Sequence, residues 1–124
     1  MLVDYEKYDV FISYSRKDKA IVDEIRQLLD ANSITYWLDT EKIRTGSEFM
    51  GDIVGAIEKS DLVLFISSVN SNASYNVANE ISIADKFKKT ILPVRIDDAP
   101  YSSVIEYDLI GVDYIDYSKR SNES

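Results

Sequence analysis

The sequence predicts an α/β domain in which a parallel sheet of five strands is covered by helices on both faces. Three observations carry this expectation. Short β-branched and aromatic runs alternate with segments whose apolar residues recur at helical spacing, from one end of the chain to the other. The run Asp61–Ser68 is almost wholly apolar, as a strand buried on both faces must be. At 124 residues, with 45% hydrophobic and 29% charged residues, the chain has the composition of one globular domain.

The elements follow in order. "YDVFISYS" (Tyr8–Ser15) reads as the first strand. The helix after it runs through "KDKAIVDEIRQLLDANS", with Ile21, Val22, Ile25, Leu28 and Leu29 as its inner stripe and Asn32 and Ser33 at its end. "ITYWLD" (Ile34–Asp39) is the second strand. "TEKIRTGSE" is polar and holds Gly46, which predicts a loop, with Ser47 placed to cap the next helix. That helix, "EFMGDIVGAIEKS", turns Phe49, Ile53, Ala56 and Ile57 to one side. Its Gly51 and Gly55 cost helix propensity and suggest close approach to a neighbour.

"DLVLFISS" (Asp61–Ser68) is the expected central strand and "VNSNAS" a loop. "SYNVANEISIA" then reads as a helix with Val77, Ile81 and Ala84 in its stripe, Ala78 beside it and Glu80 off it. "TILPVRI" (Thr90–Ile96) is the fourth strand, with Pro93 placing it toward an edge. "DDAPYSSVIEYDLIG" is irregular with one short helical turn, Asp97 and Asp98 being turn residues. "VDYIDYS" is a fifth, edge-like strand, and 118–124 a frayed tail.

Strands separated by helices require βαβ crossovers, and the expected arrangement is a flavodoxin-like doubly wound sheet of order 2-1-3-4-5. No repeat or linker divides the chain, so 1–124 is read as a single domain with its core at about 8–117. In such sheets ligands bind beyond the carboxyl ends of the strands, where strands one and three diverge. The segments "SYSRKD", "DTEKIRTGS" and "SSVNSNAS" are therefore the candidate site.

Composition restricts the chemistry. The chain has no cysteine and no histidine, which removes thiol nucleophiles, histidine acid–base pairs and the common zinc sites, so no metal is expected. Catalysis would rest on carboxylates, hydroxyls, Arg, Lys or backbone groups. A net charge of −8 argues against nucleic acid as a partner. No apolar run approaches the ~20 residues of a membrane span, and the N-terminus lacks a signal pattern. The expectation is no membrane partner and a cytoplasmic location. The turn Ser13–Asp18 contains no glycine, which excludes a dinucleotide-binding Gly-rich turn, and no Gly-Lys-Ser/Thr follows a strand. Hydroxyl residues stand where a phosphoryl-receiver domain needs its acids, Ser67 and Ser68 ending the third strand.

Three stretches together resemble the Toll/interleukin-1 receptor (TIR) family: "YDVFISYSRKD", "YWLDTEKIRTGSEF" and "DLVLFISSVNSNASYNVANE". The resemblance covers about Tyr8 to Tyr117 and includes the spacing Ser-x-x-x-x-x-Glu from Ser74 to Glu80. "SYNVANE" followed by "ILPVRID" is similar to the standalone or fused bacterial members. One departure is Asn76, four residues before Glu80, where many members carry an aromatic; Tyr75 is the neighbouring substitute. The family's last helix has little or no counterpart in "KRSNES".

Many such domains cleave NAD+ at the nicotinamide–ribose bond, and the resemblance implies that Glu80 is the catalytic residue. The chemistry tolerates the absence of histidine. An ordinary glycoside needs a second carboxyl group to protonate its leaving oxygen. Nicotinamide leaves NAD+ as a neutral base and needs no acid, so one carboxylate facing an oxocarbenium-like centre is a sufficient minimum. NAD+ would be substrate rather than cofactor, and no cofactor is expected. Read without the resemblance, the spacing favours Glu80 as an acid that complements a helix dipole.

The remaining candidates carry the same two readings. Tyr14, Ser15 and Arg16 leave the first strand at the switch point, and Arg16 suits a phosphate or plain solvent. Trp37 suits ring stacking or core packing, and Asp39 a ribose hydroxyl or a loop cap. Lys42, Ile43, Arg44 and Gly46 match the family's loop after the second strand, which closes over the nucleotide or packs against a neighbour. Ser67 and Ser74 suit ribose binding or capping, with capping favoured for Ser74.

Two functions remain open on the sequence. One is an NAD+ nucleosidase or ADP-ribosyl cyclase giving nicotinamide plus ADP-ribose or a cyclic isomer, in bacterial anti-phage or immune signalling. The other is a non-catalytic adaptor that associates with other TIR domains through residues 40–47. Either would work with a fused or separate effector protein.

Overall fold

In the computed structural model, residues 7–38 and 46–118 are described, with side chains from residue 52 onward in the second stretch. The strands are β1 (Tyr8–Ser13), β2 (Tyr36–Leu38), β3 (Ser60–Ser67), β4 (Thr90–Arg95) and β5 (Ile115–Asp116). All pairings are parallel and run β2-β1-β3-β4-β5, the order expected, with β3 in the centre. The helices are α1 (Lys19–Ala31), α2 (Gly46–Glu58), α3 (Val69–Asn72), α4 (Tyr75–Lys86) and α5 (Ser103–Asp108), and a 3-10 turn spans Arg16–Asp18.

Alternation along the strands divides the apolar side chains between two faces. Phe11, Val63, Phe65 and Ile91 meet Ile53 and Ile57 of α2, Val77, Ile81 and Ala84 of α4, and Ile105 of α5. Val10, Ile12, Leu64, Ile66 and Val94 point the other way and meet Val22 and Ile25 of α1. The central strand contributes to both layers, which is why its sequence is apolar without alternation. The period-2 rule also fixes Ser13: two residues beyond Phe11, it turns toward α4.

Several elements differ from the sequence expectation. β1 stops at Ser13 because the next residues leave the sheet, the Ser15 hydroxyl accepting from the Lys17 amide at 3.3 Å to start the 3-10 turn. β2 is three residues long, being paired only with β1. The segment 69–74, expected as loop, holds the one-turn helix α3. The Ser68 hydroxyl accepts from the amides of Asn70 and Ser71 while the Ser71 hydroxyl accepts from the Ser68 amide, a reciprocal cap. Gly46 is the first residue of α2 rather than part of the loop, so Ser47 lies inside the helix it was expected to cap. A Cβ on Gly55 would meet nothing within 4 Å, so that glycine serves no close approach. Pro93 is explained by the short fifth strand: β5 pairs only with Val94 and Arg95, leaving β4 without a partner on that side at Pro93. The frayed tail expected over 118–124 falls, beyond Ser118, outside the described residues.

Candidate functional site

α4 follows β3 through α3, so its N-terminus stands at the carboxyl edge of the sheet, beside the end of β1. Ser74 caps it as expected, its hydroxyl accepting from the Val77 amide at 3.2 Å. Val77, Ile81 and Ala84 bury the helix against the sheet. Glu80, one helical turn before Ala84, is carried down with them and is only 7% exposed. The Ser13 hydroxyl, itself fully buried, donates to Glu80 Oε1 at 2.5 Å. The pair joins residues far apart in sequence, the end of β1 to the second turn of α4.

Glu80 forms one wall of a cavity of about 250 Å³. Ile12, Tyr14, Ser15, Arg16 and Lys17 line it from β1 and the turn after it, and Ser74 and Asn76 from the start of α4. The cavity thus lies at the switch point between β1 and β3, where sheet topology opens a crevice. The lining thus combines a carboxylate with two cationic side chains. Such an arrangement can stabilise a developing positive charge at the carboxylate while holding an anionic group at Arg16 and Lys17.

A second network steadies the loops around this cavity. Asp18 accepts from the Ser68 hydroxyl at 2.5 Å and from Asn70 Nδ2 at 2.8 Å, tying the turn after β1 to the start of α3. Asn72 donates to the Ser67 hydroxyl at 3.1 Å and accepts from the Ser102 amide at 2.9 Å. Asp97 accepts from the Val69 amide at 2.9 Å and from the Ala99 amide at 3.0 Å, so it caps α3 as well as its own turn. On the far side of β3, Tyr101 packs on Phe65 with ring centroids 6.2 Å apart. Its hydroxyl is buried with no hydrogen-bond partner among the described residues, and burial pushes its phenol upward.

The sequence candidates divide accordingly. Tyr14, Ser15, Arg16, Ser74 and Glu80 come together around the cavity. Trp37 does not line it; the ring stacks on Phe11 at 5.1 Å and 8°, within the core. Ser67 is buried and engaged with Asn72. Asp39, Lys42, Ile43 and Arg44 lie outside the described residues, and Gly46 is described only as the start of α2. Asn76 does stand in the cavity wall, whereas Tyr75 is 80% exposed and does not take the place of the missing aromatic. Sequence reading placed Ser13, Lys17 and Asp18 within the candidate segment "SYSRKD" but gave none of them an individual role. Ser13 was hidden because a serine closing an apolar strand carries no local signal of a distant carboxylate.

Among the described residues no helix is long and apolar enough to cross a membrane. Comparison with known proteins gives the family. The model of the TIR domain matches residues 10–124. TMV resistance protein N of Nicotiana glutinosa is 27% identical over 99 residues, which cover 75% of this chain and 9% of that protein. A protein of Cytobacillus dafuensis named "Putative cyclic ADP-D-ribose synthase TIR2" is 27% identical over 111 residues, 82% of this chain and 29% of that protein. The chain thus spans less than a third of either relative. Among solved structures, the TIR domain of the Toll-related receptor TRR-2 from Hydra magnipapillata superposes with a TM-score of 0.74 at 20% identity, covering 94% of this chain and 90% of that one. With the family's model matched from the first strand onward and the sheet order shared, the chain belongs to the TIR-domain family.

Proposed function

We propose that this domain cleaves NAD+ at the nicotinamide–ribose bond, with Glu80 as the catalytic residue. The observation that supports this reading is a glutamate, 7% exposed, lining a cavity at the sheet's switch point. Burying a carboxylate costs folding energy that a well-packed apolar side chain there would not. A surface used only for association gains nothing from that cost, whereas a site that must face a cationic sugar does. The named relationship to a bacterial cyclic ADP-ribose synthase points the same way.

In the proposed step the bond between C1′ and the pyridinium nitrogen breaks, and its electron pair stays on nicotinamide, which leaves neutral. The positive charge moves to C1′ and the ring oxygen, where Glu80 stabilises it. Water capturing C1′ and losing a proton gives ADP-ribose; a ring nitrogen of the adenine capturing C1′ with its lone pair, and taking up the positive charge, gives a cyclic isomer. Arg16 and Lys17 hold the phosphates, and Tyr14, Ser15, Ser74 and Asn76 shape the space around the ribose. Self-association with other TIR domains through residues 40–47, and a role in bacterial immune signalling with an effector, belong to the same proposal.

The test is incubation of concentrated protein with NAD+, alone and on a scaffold that forces oligomerisation, with nicotinamide and ADP-ribose products separated by chromatography. Nicotinamide release with one product series supports the enzyme and separates hydrolysis from cyclisation. No release in either format refutes it and leaves the adaptor role.

A further inference from the structure

We infer that Ser13 is a positioning residue, whose hydroxyl holds Oε1 of Glu80 so that the carboxyl group meets the cavity in one orientation. The inference rests on the reading of Glu80 proposed above.

Three observations carry it. The first is rigidity. Ser13 ends β1, fully buried and in register with Phe65 of the central strand, so its Cβ is held by the sheet rather than by a loop. The second is distance: at 2.5 Å the contact is a close O–H···O hydrogen bond. The third is economy of polar groups. A buried hydroxyl and a buried carboxylate at a strand–helix contact would be replaced by an apolar pair at little loss of stability if packing were their only task.

The choice of a neutral donor matters. A Lys or Arg at this position would neutralise the carboxylate and cancel the field that a cationic sugar needs. A serine hydroxyl favours the ionised form and fixes its orientation while leaving the net charge in place. Titratable and charged groups stand near Glu80 among the described residues. Tyr14, Arg16 and Lys17 line the cavity from the turn after β1, and Asp18 is engaged with Ser68 and Asn70. Asp52 and Glu58 of α2 are exposed, and Asp108 of α5 faces Ser82, beyond Glu80 on α4.

The test compares wild type with Ser13→Ala in two readouts. The first is a 13C NMR titration of the Glu80 carboxyl without substrate, assigned by its disappearance in Glu80→Gln. The second is the pH profile of kcat and KM for nicotinamide release. Removing the donor raises the carboxyl pKa by about one unit and moves the acid limb of kcat upward with it. It lowers kcat by about 10- to 100-fold with KM within about twofold. A side chain that only filled space would leave the limb where it is. Should Ser13→Ala not fold, Ser13→Cys, a weaker donor of similar size, gives the same sign with a smaller shift. A carboxyl pKa unchanged or lowered in the folded variant overturns the inference. Absence of turnover in the wild type overturns the proposed function instead, and the NMR titration still decides the role of Ser13.

Discussion

Replacing Asp18 by Ala should loosen the cavity wall before it disturbs the core. Asp18 is the acceptor of two bonds that cross from the turn after β1 to α3, from the Ser68 hydroxyl and from Asn70. Hydrogen bonds to a charged partner contribute about 1.5–3 kcal/mol each. The half-exposed setting of Asp18 places both at the lower end, about 3 kcal/mol together. Water can serve the Asn70 amide afterwards, but Ser68 is 1% exposed, and its hydroxyl, while still accepting from the amides of Asn70 and Ser71, keeps as a donor the long 3.4 Å contact to Ser71. The net expectation is a loss of about 2 kcal/mol, which for a domain of this length lowers Tm by about 8 °C. Urea denaturation with circular dichroism reads this directly, and a cycle with Asn70→Ala isolates the coupling. Because the tether carries the turn bearing Tyr14 to Lys17, turnover should fall in the variant even at temperatures where it is fully folded. A stability within about 0.5 kcal/mol of wild type, inside the range of ordinary surface changes, would refute the tether.

Other substitutions test separate parts of the account. Gly55→Ala adds a methyl into open space in the middle of α2 and should raise stability by about 0.5–1 kcal/mol, read as a higher urea midpoint at unchanged slope. Tyr101→Phe keeps the ring against Phe65 and removes the unpartnered hydroxyl, so it should gain about 1 kcal/mol, and a loss would reveal a partner for that group. Burial, then the neighbouring carboxyl of Asp85, hold Asp108 above its ordinary 3.8. Its ionised form is therefore disfavoured by folding, and the resulting penalty is absent below pH 3.8 and grows as pH rises from there through the raised value. Asp108→Asn should be more stable than wild type at neutral pH, with the advantage vanishing toward pH 3 in parallel thermal melts.

The layout of the sheet was legible because its causes are local. Periodicity marked the strands and α1, α2 and α4, and the apolar run at residues 61–68 identified the centre of the sheet. What local pattern did not reveal came from contacts between distant residues. Glu80 falls off the apolar stripe at helical spacing, so local pattern favoured an acid in the helix's early turns, whereas the fold buries it. There its Oε1 accepts from the Ser13 hydroxyl, 67 positions away. α3 was hidden because its reciprocal cap uses Ser71 where the familiar pattern has Glu or Gln. Trp37 offered the same apolar face to a ligand ring or to Phe11, and only the pairing of β1 with β2 brings those two rings together. Asp18 had no role in the sequence beyond its place in "SYSRKD"; the crossover brings α3 to it, where it accepts from Asn70.

The most direct measurement is the rate of nicotinamide release by Glu80→Gln against wild type, at equal concentration and with both folds verified by circular dichroism. Glutamine preserves the size of the side chain and a hydrogen-bond acceptor for Ser13 but removes the negative charge. A fall in kcat/KM of about 10²-fold or more is predicted, the scale of losing one preorganised electrostatic group. Turnover retained within about threefold would contradict the claim that this carboxylate stabilises the sugar cation.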